Sequence, residues 1–156
     1  MSNRRSLKQT ANQAAWSELD PGPKVVVPKT ILDHENYLRM KWSARSLLWD
    51  IAAQFTGHNN GFLCASFSVM QERNWGSKTT LAAALAEVEH YGLIVKTQQG
   101  DRTHKPNLFA LTWRKINKRE GATLLTPDWA YVQPMATWKE SRPLYDPDAE
   151  VERKAA

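Results

Sequence analysis

The stretch from Asn74 to Gly92 constrains this chain more than any other. Asn74-Trp75-Gly76 is a break, because Asn and Gly tolerate the left-handed backbone that tight turns use. Ser77 follows as a good helix N-cap, and Gly92 supplies a stop. Between them run residues rich in alanine and free of Gly and Pro, which predicts a helix to about His90. At about 100° per residue, Leu81, Leu85 and Val88 share a face that buries, and Thr79, Ala83, Ala86 and His90 fall on the other side. That outer face is short-chained near its start, so a second surface can approach it closely.

The flanking elements follow from the same rules. Leu48, Ile51, Ala52 and Phe55 recur at helical spacing and predict a helix over Ser43–Phe55 with Ser43 as N-cap. A shorter helical turn is expected around Asp33–Arg39. Gly57-His58-Asn59-Asn60-Gly61 breaks the chain, and Phe62-Leu63-Cys64-Ala65 reads as a short strand. Ser66 or Ser68 is placed to cap a short helix through Val69, Met70 and Arg73. Two strands, Leu93–Gln99 and Leu108–Trp113, then enclose the polar loop Gly100–Asn107. Helix, strand, helix, turn, helix and hairpin, in that order, match an α+β winged helix-turn-helix domain.

That domain is expected over residues 31–119, after a basic N-terminal arm at 1–30 and before a Pro/aromatic-rich C-terminal extension at 120–156. The arm holds the linker Asp20-Pro21-Gly22-Pro23, an extended run Lys24–Val27 closed by Pro28, and Trp16 as a local anchor. In the extension, Pro127, Pro134, Pro143 and Pro147 alternate with Trp129, Tyr131, Trp138 and Tyr145. No long helix or central strand suits such a stretch, so it either wraps the domain or docks on a partner. Trp42, Trp49 and Trp113 are expected to pack in or beside the core, whereas Trp75 stands open between packing and contact.

The net charge of +5 favours a polyanionic partner, and its distribution is more informative. Residues 1–30 carry five basic against two acidic side chains, and Arg114, Lys115, Lys118 and Arg119 form a second basic cluster after the last strand. The residues beyond 120 are acidic on balance. No apolar run approaches the ~20 residues of a membrane span, and the basic start lacks the apolar stretch of a secretory signal. The lone Cys64 is expected in the core, with a reducing cytoplasm as the compartment. His34, His58, His90 and His104 lack metal-ligand spacing, and Asp33 and Glu35 read as surface or capping residues. With no Gly-rich phosphate loop either, the reading is a protein without cofactor or catalysis.

A B-DNA major groove is about 12 Å wide and admits one helix, whose N-terminal residues meet the bases. Ser77, Lys78, Thr79, Thr80 and Ala83 are the expected contacts from the helix: Lys78 to phosphate, the threonines to phosphate or base edges, Ala83 to a thymine methyl. Glu87 and Glu89 confine the DNA to the first half. Arg102, His104 and Lys105 in the hairpin loop, with Arg114 and Lys115, are expected to position phosphates rather than read sequence.

The stretches Asn59–Leu63, Met70–Leu81, Leu85–Ile94 and Leu108–Trp113 together resemble winged helix-turn-helix DNA-binding proteins of bacterial mobile elements, carried by prophages, plasmids or genomic islands. The likeness covers about half the chain, and Ser77–Thr80 correspond to the start of the recognition helix. It implies a sequence-specific double-stranded DNA-binding protein in transcriptional control or replication initiation. The leading expectation is a regulator that occupies an operator, as a homodimer on two half-sites. One alternative is a replication or partition accessory that binds origin repeats. Another is an interaction protein that binds and inhibits a host protein through its scaffold and C-terminal extension.

Overall fold

The apolar pattern resolves into two cores, one on each face of a small sheet. The computed structural model describes residues 16–101, 104–149 and 152. Two short helices, α1 (Lys29–Leu32) and α2 (Glu35–Arg39), lead into α3 (Trp42–Ala52). Strand β1 (Leu63–Cys64) and the short α4 (Phe67–Gln71) precede α5 (Lys78–His90), and β2 (Ile94–Gln98) and β3 (Leu108–Leu111) form the closing hairpin. The class is α+β, and among the described residues no helix is long and apolar enough to cross a membrane.

The sheet is antiparallel in the order β1-β3-β2. Period-two alternation sorts its residues between two faces. Leu63, Ile94, Phe109 and Leu111 point to the helical side, where Leu47, Leu48, Ile51, Met70, Leu81 and Val88 meet them. Phe62, Val95 and Ala110 point the other way, against Ile116, Leu124, Ala130 and Tyr131. Each large apolar side chain buried this way contributes about 1.5–3 kcal/mol.

Helix α3 buries Ala44, Leu47, Leu48, Ile51 and Ala52, a stripe at helical spacing. Its N-cap is Lys41 and not Ser43, which lies inside the first turn. The satisfaction of that end comes from a distant residue: Glu87 Oε1 of α5 accepts the Lys41 N–H at 2.8 Å. The helix ends at Ala52, short of the expected Phe55, as the Gln54 and Phe55 amides tighten onto the Ile51 and Ala52 carbonyls. The Gln54 side chain then pairs with both the N–H and the C=O of Cys64, standing in for a strand neighbour. Cys64 itself is half-buried, less enclosed than expected.

Two buried asparagines close the fold. Asn60 takes the Leu111 N–H (2.7 Å) and donates to the Leu111, Arg114 and Lys115 carbonyls at 3.0–3.1 Å. It thereby ends β3 at Leu111, two residues short of the expected Trp113. Asn36 donates to the Tyr91, Trp138 and Glu140 carbonyls and accepts from the Arg142 N–H. The C-terminal extension thus wraps the chain. Residues 116–135 cover the outer sheet face, and Trp138, 7 % exposed, enters the helical core. The other tryptophans divide. Trp113 is half-buried and bonds the Val26 carbonyl, but Trp42 is 80 % exposed and Trp49 37 %, against the expectation of packing for both. Trp42 occupies the first position of α3, off the buried stripe that begins at Ala44. Trp16, 46 % exposed, anchors little.

Candidate nucleic-acid interface

Helix α5 begins where the sequence places it. Ser77 is the N-cap, and its Oγ accepts the Thr80 N–H at 3.2 Å. The preceding turn depends on Asn74, which holds φ at +72°. The Arg73 and Trp75 amides return to the Met70 carbonyl and the Asn74 amide to that of Gln71, so α4 hands the chain directly to α5. At the other end Gly92 adopts φ +72°, and a Cβ there would meet the Thr137 carbonyl oxygen at 2.7 Å. The stop therefore has two causes, backbone hand and close approach.

One face of α5 is core: Leu81, Ala84, Glu87 and Val88 are buried, with Leu85 half-buried. Glu87 does not face outward as a repelling acid, because its carboxylate is committed to the Lys41 amide. The exposed face belongs to the first half: Ser77, Lys78, Thr79, Thr80, Ala82 and Ala83 are all exposed. Ala86 and His90 are half-buried. His90 Nε2 lies 2.8 Å from the Pro143 carbonyl, and its ring sits edge-on to Tyr91 and tilted against Tyr145. The far half of the expected outer face is thus occupied by the chain's own C-terminal segment.

The Lys78 ammonium rests over the Phe67 ring of α4 at 5.5 Å. Nearby, Arg73 is engaged by Asp50 at 3.1 Å, and the second Asp50 oxygen accepts the Trp75 indole N–H at 2.8 Å. This resolves Trp75, whose half-buried ring braces the turn against α3. Beside it a groove of ≈ 680 Å³ runs between α3 and the start of α5, bordered by Trp42, Trp49, Trp75 and Thr80.

The β2–β3 loop is closed by its own polar groups. Asp101 Oδ1 accepts the His104 and Lys105 amides, and the Gly100 N–H donates to Asn107 Oδ1. A Cβ at Gly100 would collide with the Lys105 carbonyl oxygen, so the loop needs glycine there. His104 and Lys105 are exposed at the tip, and Arg102 lies outside the described residues.

Arg114 and Lys115 are not brought to this tip. They follow the other end of β3, where Arg114 lies over the Phe55 ring at 4.9 Å. Lys118 and Arg119 continue onto the outer sheet face, over Tyr131 (5.2 Å) and Phe62 (3.9 Å). The residues that sequence reasoning undervalued are Asn36 and Asn60, read as helix-turn and loop residues. Polar type gives no sign of burial, so no local signal separates them from exposed asparagines. Among the described residues no group of three or more His, Cys, Asp or Glu gathers as a metal site. No family model, curated protein or solved structure matches the chain.

Proposed function

We propose that the chain is a winged helix-turn-helix protein that binds double-stranded DNA, with α4 and α5 as the helix-turn-helix and the β2–β3 loop as the wing. The observation that carries this reading is the division of α5. Its first half presents short side chains to solvent directly after a capped, positively polarised N-terminus, and its other face is locked into the core. A groove wall can approach Thr79, Ala82 and Ala83 to contact distance, with Lys78 and Lys105 left to meet phosphates. The biological role we assign is transcriptional control in a bacterial mobile element, by occupancy of an operator. One such module buries limited DNA surface, which favours two copies on two half-sites.

Selection of bound duplexes from a random pool tests binding, specificity and half-site symmetry together. An enriched two-fold symmetric motif is the expected result. On that motif, Ala83→Glu sets a carboxylate against the groove and should weaken binding tenfold or more, since like-charge contacts cost several kcal/mol. Lys78→Ala and Lys105→Ala should each lower the slope of log K against log salt by about one. An unenriched pool, or full affinity in Ala83→Glu, would overturn the reading.

A further inference from the structure

The basic cluster at residues 114–119 is the strongest charged feature that the reading above leaves unused. Its place in the fold separates it from α5. The sheet residues beneath α5 are Leu63, Ile94, Phe109 and Leu111, whereas Lys118 and Arg119 stack on Tyr131 and Phe62 of the opposite face. The sheet lies between the two, so a groove wall resting on Thr79 and Ala83 does not reach Arg119.

We propose that this outer face binds single-stranded nucleic acid. Three features carry it. First, Lys118 and Arg119 are each held over an aromatic ring of this face, at 5.2 and 3.9 Å, and among the described residues neither forms an ion pair. A guanidinium held over a ring in this way is ordered in advance for phosphate or for stacking by a base. Second, the segment that follows these cations in the chain carries an exposed aromatic ring. Trp129 belongs to the 3₁₀ turn Asp128–Tyr131, whose Ala130 carbonyl accepts the Ile116 N–H, and it remains 46 % exposed. Third, Val132, in the next position of the chain after that turn, is 80 % exposed. Cations beside flat apolar faces suit a strand that offers both phosphates and unpaired bases. A duplex hides its base faces and would leave Trp129 without a partner. An acidic peptide would satisfy the cations and leave the rings nothing flat to stack on. Over residues 114–128 as a whole, Arg114, Lys115, Lys118 and Arg119 stand against the acids Glu120 and Asp128.

The test is fluorescence anisotropy of a labelled oligothymidine of about 20 nucleotides with the full chain at physiological salt. Competitors are an unlabelled duplex and polyglutamate, and circular dichroism checks the fold of every variant. Trp129→Ala should weaken the single strand roughly tenfold, Trp129→Phe should restore most of it, and Lys118→Glu with Arg119→Glu should abolish it. Duplex affinity should be untouched by Trp129→Ala, and Ala83→Glu should leave the single strand bound, so failure of one reading is distinct from failure of the other. Displacement by polyglutamate as readily as by unlabelled oligothymidine would overturn the proposal in favour of a protein partner. Loss of the single strand in Ala83→Glu would overturn it by placing binding on α5. A folded Trp129→Ala that binds oligothymidine as the parent does would overturn it outright.

Discussion

Replacing Asn60 by alanine isolates one buried side chain that joins three parts of the fold. The amide satisfies both the N–H and the C=O of Leu111, and it also holds the carbonyls of Arg114 and Lys115. Leu111 is 1 % exposed, so its backbone has no access to water once the amide is gone: the N–H is left without a partner, and the carbonyl keeps only the long bond from the Arg114 N–H at 3.4 Å. Each such orphan costs about 1–3 kcal/mol. The Arg114 and Lys115 carbonyls are only part-buried and can be rehydrated. With one full orphan and about 1 kcal/mol for the weakened carbonyl, the sum expected for Asn60→Ala is about 2–4 kcal/mol, a large share of the ~5–15 kcal/mol that stabilises a domain. Asn59→Ala is the control. Its side chain links the Thr56 amide and the Gln54 carbonyl within one loop, and its loss should cost about 1 kcal/mol. Urea unfolding followed by circular dichroism reads both, with the midpoint shift converted at constant m. Equal losses for the two variants, or a loss under about 1 kcal/mol for Asn60→Ala, would refute the argument that Asn60 replaces a strand neighbour for Leu111.

Three further outcomes are expected. Trp42→Ser should change stability by no more than about 0.5 kcal/mol, because the ring is 80 % exposed, whereas Trp138→Ala should cost about 3–5 kcal/mol; thermal melts of the pair check both. Gly100→Ala should force the β2–β3 loop open with little change in melting temperature, and amide exchange at His104 and Lys105 should rise as their bonds to Asp101 break. Glu35 has its carboxyl held below the ordinary value by a hydrogen bond from the Ser141 side chain, with Arg39 and His34 adding to the effect against partial desolvation. A lowered folded-state value stabilises above the unfolded pKa and is lost as pH falls through the folded one. The stability gap between the parent and Glu35→Gln should accordingly be open at neutral pH and close in acid, as pH-dependent urea titrations would read.

Periodicity and punctuation made α5 legible, because everything that defines it is local. The Asn74 turn, the Ser77 cap, the alanine run and the Gly92 stop need no knowledge of the rest of the chain. The hairpin was legible for the same reason, between Gly100 and Asn107. What the sequence did not reveal is what comes from afar. The N-terminus of α3 is satisfied by a carboxylate from α5, so Ser43 was the plausible cap only while Glu87 counted as a surface acid. The candidate interface divided along the same line. Ser77–Thr80 and Ala83 fall on one exposed face, as helical spacing requires, but Arg114 and Lys115 sit close in sequence to the hairpin and at the end of β3 opposite its loop. Trp42 follows this pattern too, since hydrophobicity alone does not say on which side of a helix the core lies.

The same long-range contacts fix how much of α5 is open. Asn36 holds the Trp138 and Glu140 carbonyls and the Arg142 amide, and the chain then delivers Pro143 to His90 and Tyr145 to the Tyr91 hydroxyl. Lifting this segment would leave the Asn36 amide, itself fully buried, without most of its partners, so the segment is as firmly set as the core. The exposed part of the helix is therefore bounded on both sides by structure: the Ser77 cap at one end and the Pro143 contact at the other. A surface of that length offers few side chains for sequence readout. On the proposed reading, specificity rests on Thr79, Thr80 and Ala83, and affinity must come from the loop, from a second copy, or from DNA shape.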